Sequence, residues 1–194
     1  MIEQMIRPWY EKLLVTPIVA RLAYAQRVKP AVVTLLALLF GVLAALSIFS
    51  NNQYLACLLL LLSGYCDSLD GSLARYLGQD SPKGAVLDIV FDRVVEFLIL
   101  FALLGVDPVH RALPAFSMLG ATFICVTSFL VVAIFSANQG AKSFHYSAGL
   151  IERAEAFLFF IAMILLPAMF SLFAYLYTFL VLYTAARRVY QFLR

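Results

Sequence analysis

The sequence predicts an all-α integral membrane protein, with six transmembrane helices preceded by an interfacial amphipathic helix. Three observations carry that prediction. Apolar residues make up 64% of the chain and charged residues only 13%, whereas a soluble domain is nearer half apolar and a quarter charged. The apolar residues gather into six runs long enough to cross a bilayer. The basic residues are spread unevenly about those runs. The stretches between runs are too short for a separate soluble domain, so the expected division is an interfacial segment at 1–29 and a six-helix membrane domain at 30–194.

In residues 1–29, Trp9, Tyr10, Leu13, Leu14, Ile18, Leu22 and Tyr24 interleave with Arg7, Lys12, Arg21 and Arg27. That pattern reads as an amphipathic helix lying in the interface, broken near Thr16-Pro17, and as a basic membrane-surface anchor. Charges interrupt it throughout, so it lacks the apolar stretch of a signal peptide. The first span is read as Pro30–Ser50, opened by a proline and closed by Asn51-Asn52. The next two are Tyr54–Leu77 and Lys83–Val106, with Val106-Asp107-Pro108 ending the third. Leu113–Ser136, Ala148–Pro167 and Ser171–Phe192 complete the set. Cys57, Cys66 and Cys125 all lie in apolar runs, and an odd number there argues for packed thiols over disulfides.

With six spans both termini share a side. Placing them in the cytoplasm puts every one of the 14 Lys and Arg residues except Arg111 on the inside, and leaves Asp107 as the one acid outside. The net charge of +3 is therefore a sidedness signal and not a sign of nucleic-acid binding.

The functional residues concentrate between Asp67 and Asp92. Burying a lone carboxylate in lipid costs several kcal/mol, about 2.5 or more even on lenient scales, and clustered ones also repel. Four of them need cations or protons to offset the charge. Asp67 and Asp70 are i,i+3, and Asp88 and Asp92 are i,i+4, so each pair lies on one helix face. If the two helices form an antiparallel hairpin turning at Gln79-Asp80, Asp67 is level with Asp92, and Asp70 is within a residue of Asp88. Hard divalent cations prefer carboxylate oxygens, and a pair of such ions suits transfer of a phosphorus group. Gly71, Ala74 and Gly84 are small enough to let a diphosphate approach the backbone. Arg75 lies eight residues past Asp67, about 12 Å at 1.5 Å per residue, which places the carboxylates just inside the cytoplasmic edge.

Asp67-x2-Asp70-Gly71-x2-Ala74-Arg75-x8-Gly84-x3-Asp88-x3-Asp92 resembles the signature of the CDP-alcohol phosphotransferases, also called CDP-alcohol phosphatidyltransferases, at every position. The resemblance implies phospholipid biosynthesis: transfer of a substituted phosphate from a CDP-linked donor to an alcohol, with release of CMP. It implies two divalent ions, Mg²⁺ or Mn²⁺, held by Asp67, Asp70, Asp88 and Asp92, and Asp92 as the general base. CDP would be lined by Asp67, Asp70, Gly71, Ala74, Arg75, Gly84 and Thr34, with Arg75 on phosphate. A homodimer in the cell's inner membrane is the family expectation.

Segments outside the signature resemble the branch that makes phosphatidylinositol-phosphate-type lipids. These are Thr16-Pro17-Ile18-Val19-Ala20-Arg21, Pro30-Ala31-Val32-Val33-Thr34 and Gly149-Leu150-Ile151-Glu152-Arg153-Ala154-Glu155. They point to CDP-diacylglycerol as donor and to Arg153 and Arg188 as acceptor-phosphate residues, the acceptor being inositol phosphate or another polyol phosphate. One departure matters: Val132–Gln139 holds no cation where that branch carries a lysine and an arginine. Alternatives remain open at this point. They are a CDP-aminoalcohol donor with diacylglycerol as acceptor, an aspartate-rich prenyltransferase, and a cation transporter. His110 and His145 are read as loop residues, Asp80 as a turn residue, and Glu96 as a buried acid needing a partner.

Overall fold

The computed structural model describes residues 10–24, 29–79, 81–137 and 153–194, and these are helical with no strand among them. A π-helical turn, Glu11–Val15, leads into α1, Thr16–Tyr24. Then follow α2 (Pro30–Phe49), α3 (Gln53–Leu77), α4 (Pro82–Val106), α5 (Pro108–Ala137), α6 (Arg153–Leu165) and α7 (Phe170–Phe192), with a 3₁₀ turn at Pro167–Met169. Four of them are long and apolar enough to cross a membrane: α2, α3, α5, and α7 together with its leading 3₁₀ turn. The coarse expectation of an all-helical, multi-span chain therefore holds.

Several boundaries differ from the sequence reading. The break expected at Thr16-Pro17 is a π turn running on into helix, because a wider turn tolerates the missing proline N–H. The fourth apolar helix begins at Pro108, not Leu113, since Asp107 caps α4 and proline can open the next helix at once. His110 and Arg111 consequently sit on the first turns of α5 rather than in a loop. Arg111 is buried there, reaching the Pro167 carbonyl at 3.4 Å and lying 4.9 Å over the Phe170 ring. Asp80, Lys142, His145 and Gly149–Glu152 lie outside the described residues, as do Arg7, Trp9 and Arg27 of the N-terminal pattern.

The chain divides into two compact units, one within residues 2–107 and the other within 108–194. In the first, α3 and α4 each pack extensively on α2 but make few contacts with one another. Glycines let α2 and α4 come close: a Cβ on Gly41 would stand 2.5 Å from Val95 Cγ2, and one on Gly105 would strike the Phe49 ring. Ser63 ties α3 to α2 by donating to the Ala37 carbonyl at 2.7 Å. Val15 and Val19, one turn apart, bury against Leu69 and Leu73 of α3. Tyr65 donates to the Leu14 carbonyl at 2.8 Å.

In the second unit α5 packs along α7. The Thr122 and Tyr177 hydroxyls meet at 3.2 Å. Buried Arg188 donates from Nη1 to the Cys125 carbonyl at 3.0 Å and to Ser128 Oγ at 3.1 Å, under the Phe129 ring. All three cysteines are free thiols.

Candidate active site

The helix termini around the Asp67–Asp92 stretch are built by local chemistry. Gly78 ends α3 at φ +61°, a left-handed conformation that glycine adopts without a Cβ penalty. Ser81 caps α4 by accepting from the Gly84 N–H at 3.1 Å, and Pro82 supplies the first helical residue. Both helices then run unbroken past their aspartates.

Because α3 and α4 lean on α2 rather than on each other, a cavity of about 590 Å³ opens between them. Asp70, Gly71, Ala74, Arg75, Gly84, Asp88 and Thr34 line it, seven residues that the sequence had already singled out. Lys29, Gln79, Ser81 and Lys83 also line it and were not singled out. Their signal was faint but present: Lys29-Pro30 and Ser81-Pro82 are helix starts, and α2 and α4 both bring their N-terminal ends to this cavity. Helix N-termini carry partial positive charge and exposed N–H groups, which suit an anion such as a diphosphate. Arg75, steadied by Ser72 Oγ at 2.9 Å, adds a full positive charge.

Carboxylate oxygens of Asp67, Asp70 and Asp88 all lie within 4.8 Å of one another. Oδ2 of Asp70 and Oδ1 of Asp88 are buried with no hydrogen-bond partner among the described residues. An unsatisfied buried carboxylate oxygen is costly, and an all-oxygen donor set of this kind fits a hard divalent cation. The Thr34 hydroxyl, 3.2 Å from the Pro30 carbonyl, is also within hydrogen-bonding reach of Asp70.

Asp92 is not in this convergent set. It follows Asp88 by one turn on α4, and α3 and α4 both rest on α2. Asp92 is mostly buried and faces Arg93, whose Nη2 is 3.9 Å from Asp92 Oδ2. Glu96, an acid needing a partner on the sequence reading, has one in Arg93: Nη1 to Oε2 is 2.7 Å. Arg153 and Arg188 belong to the second unit. The Arg153 guanidinium lies 5.3 Å over the Phe157 ring, and Glu155 is buried on the same helix.

Comparison with known proteins agrees with this geometry. The family model described as CDP-alcohol phosphatidyltransferase matches residues 27–187. An uncharacterized protein of Aquifex aeolicus is 32% identical over 186 residues, 96% of this chain and 92% of that one. The phosphatidylinositol phosphate synthase of Mycolicibacterium smegmatis is 31% identical over 143 residues, 71% of this chain and 61% of that protein. The crystal structure of the Mycobacterium tuberculosis phosphatidylinositol phosphate synthase with manganese and citrate has a TM-score of 0.68 at 25% identity, covering 92% of this chain and 88% of that one. The same enzyme with CDP-DAG bound shares the fold at a TM-score of 0.68 and 24% identity, covering 92% of this chain and 93% of that one. With three of its signature aspartates converging and the family model spanning most of its length, this chain belongs to the CDP-alcohol phosphatidyltransferase family and is a multi-pass membrane transferase of phospholipid biosynthesis.

Proposed function

We propose that the chain transfers a phosphatidyl group from CDP-diacylglycerol to a hydroxyl of inositol phosphate or another polyol phosphate. The acceptor oxygen bonds to the phosphorus that carries diacylglycerol, the bond from that phosphorus to CMP breaks, and CMP leaves. The observation that carries this reading is the trio of converging carboxylates, with two orphaned buried oxygens, beside a cavity flanked by two helix N-termini and Arg75. Asp67, Asp70 and Asp88 would hold divalent metal, with Asp92 completing a second position. Bound there, Mg²⁺ or Mn²⁺ supplies the positive charge that neutralises a diphosphate and the departing CMP.

The remaining roles fall to the chain's own groups. Gly71, Ala74 and Gly84 let the cytidine diphosphate lie close to the backbone, Thr34 orients Asp70, and Arg75 pairs with phosphate. Asp92 takes the proton of the acceptor hydroxyl. Arg153 and Arg188 bind the acceptor's phosphate, Arg188 with its guanidinium oriented by Cys125, Ser128 and Phe129. The absence of a cation across Val132–Gln139 favours an acceptor gripped by fewer charges than in the inositol-phosphate branch.

Six spans are proposed, α4 and α6 crossing along with the four long apolar helices. Helix α4 has 25 residues, about 37 Å at 1.5 Å per residue, which is enough to cross. Its charges keep its mean hydropathy low because they serve the site. The Lys and Arg distribution supports cytoplasmic termini and a cavity opening to the cytoplasm, in the inner membrane. Residues 1–29 would form the interfacial anchor and 30–194 the catalytic domain. Prenyltransferase and transporter readings end with family membership, and the unbroken α3 and α4 are unlike the discontinuous helices of transporter ion sites.

The test is CMP release in detergent or nanodiscs from CDP-diacylglycerol with a panel of alcohols and polyol phosphates, products being resolved by thin-layer chromatography. Turnover should vanish in EDTA and return with Mg²⁺ or Mn²⁺. Undiminished turnover in EDTA would end the metal reading, and CMP release from a CDP-aminoalcohol but not from CDP-diacylglycerol would reassign the donor.

A further inference from the structure

We infer that Tyr65 is a positioning residue, through which the N-terminal segment braces the aspartate-bearing turn of α3 from behind. The inference rests on the reading of Asp67, Asp70 and Asp88 as metal ligands. Carboxylates drawn within 4.8 Å of one another repel. The side of α3 that carries Asp70, Gly71 and Ala74 faces the cavity, and α4 gives that helix little direct support. The restraint comes from across the helix. Two residues along an α-helix amount to about 200° around it, at 3.6 residues per turn. Leu69 and Leu73 therefore lie across α3 from Asp67 and Gly71. Val15 and Val19 bury against these two leucines, with Tyr65 and Cys66 packed beside them.

Directional contacts fix that packing. The Tyr65 hydroxyl donates to the Leu14 carbonyl at 2.8 Å, in the π turn that leads into α1. The Tyr10 ring meets the Tyr65 ring edge-on with centroids 6.3 Å apart, and its hydroxyl is within hydrogen-bond reach of Ser68. The N-terminal segment thus engages Cys66 and Ser68, on either side of Asp67, and Leu69, just before Asp70. Apolar packing alone is non-directional and lets a helix turn or slide, whereas a hydrogen bond sets its register. With phenylalanine at position 65 the ring still fills its place, but the register is no longer held. Asp67 and Asp70 then meet Asp88 for a smaller fraction of the time, and the apparent metal affinity falls by that fraction.

The experiment uses the full-length protein in phosphatidylcholine nanodiscs, first as a Mn²⁺ titration without substrate, free Mn²⁺ being followed by its electron paramagnetic resonance signal. Tyr65→Phe should weaken the tightest Mn²⁺ equivalent by about three- to tenfold, the weight of one neutral hydrogen bond. CMP release from CDP-diacylglycerol, with whichever acceptor of the panel turns over fastest, should then need more Mg²⁺ for half its maximal rate. At saturating Mg²⁺ the Tyr65→Phe rate should return to within about twofold of wild type, because the ligands themselves are intact. Met118→Ala, a cut in the buried core of the second unit, controls for general loss of stability. It should lower the unfolding temperature and leave Mn²⁺ affinity alone. Wild-type Mn²⁺ affinity in Tyr65→Phe overturns the brace. So does a Tyr65→Phe rate that stays low at saturating Mg²⁺, or a Met118→Ala protein that loses as much Mn²⁺ affinity as Tyr65→Phe. Asp70→Asn is titrated alongside. If it loses the tight equivalent while Tyr65→Phe keeps it, the brace alone fails; if Asp70→Asn binds Mn²⁺ as wild type does, the metal reading fails and the brace with it.

Discussion

Asp92 and Arg153 are expected to fail in different ways. Asp92→Asn keeps the side chain's shape but removes its charge and most of its basicity. Its kcat should fall by at least about 10²-fold, the usual loss for a general base, with CDP-diacylglycerol still bound by the cavity and the other carboxylates. Arg153→Ala should instead raise the acceptor KM by about ten- to a hundredfold, since a hydrogen bond to a charged group is worth about 1.5–3 kcal/mol, and should leave donor affinity alone. Steady-state kinetics with each substrate varied, and donor binding measured separately, decide both. An Arg153→Ala protein that loses the donor would move Arg153 away from the acceptor. At this scale the aspartates were legible because buried carboxylates at helical spacing have few other uses. The pairing of Arg93 with Glu96 was not, since i,i+3 charges on a helix are common and only the coordinates show which acid the arginine favours.

At the scale of elements, the cavity exists because α2 offers a surface on which α3 and α4 both rest. Gly41 is one of the two tightest points of that arrangement among the described glycines. Gly41→Leu should destabilise the protein by about 1–3 kcal/mol through overpacking, because Val95 is β-branched and cannot turn aside. A lowered unfolding temperature in detergent, with weaker Mn²⁺ binding as α4 is pushed off α2, is the expected readout; an unchanged unfolding temperature would mean that the contact is not tight in the working protein. The helix start at Pro30 was readable from its proline, and the start at Pro82 falls one residue before the Lys83 expected from sequence. The cavity lining by Lys29, Gln79 and Ser81 was not readable, because residues at three separate helix ends meet only once the helices are placed.

For the whole molecule, sidedness is the property most open to test. In a variant with Cys57, Cys66 and Cys125 replaced by alanine, a Lys83→Cys thiol should resist a membrane-impermeant maleimide added outside intact cells and react once the membrane is opened. Ready labelling from outside would invert the topology. The proposal follows from the one-sided placement of the 14 basic residues, of which only Arg111 is expected outside. Arg111 is buried against Pro167 and Phe170, so its charge is taken up within its own unit and weighs little against the bias.

By itself the sequence determined the class, the chemistry and most of the site. Composition demanded a membrane, and helical spacing put each aspartate pair on one face. The Gly71, Ala74, Arg75 and Gly84 pattern around them identified the family. These are local properties, set by residues within a few turns of one another. Which carboxylates meet was a tertiary matter. Burial of apolar surface on α2, eased by Gly41 and Gly105, positions α3 and α4 so that carboxylate oxygens of Asp67, Asp70 and Asp88 converge. That Arg93 lies nearer to Glu96 than to Asp92 was decided in the same way, once α4 had packed.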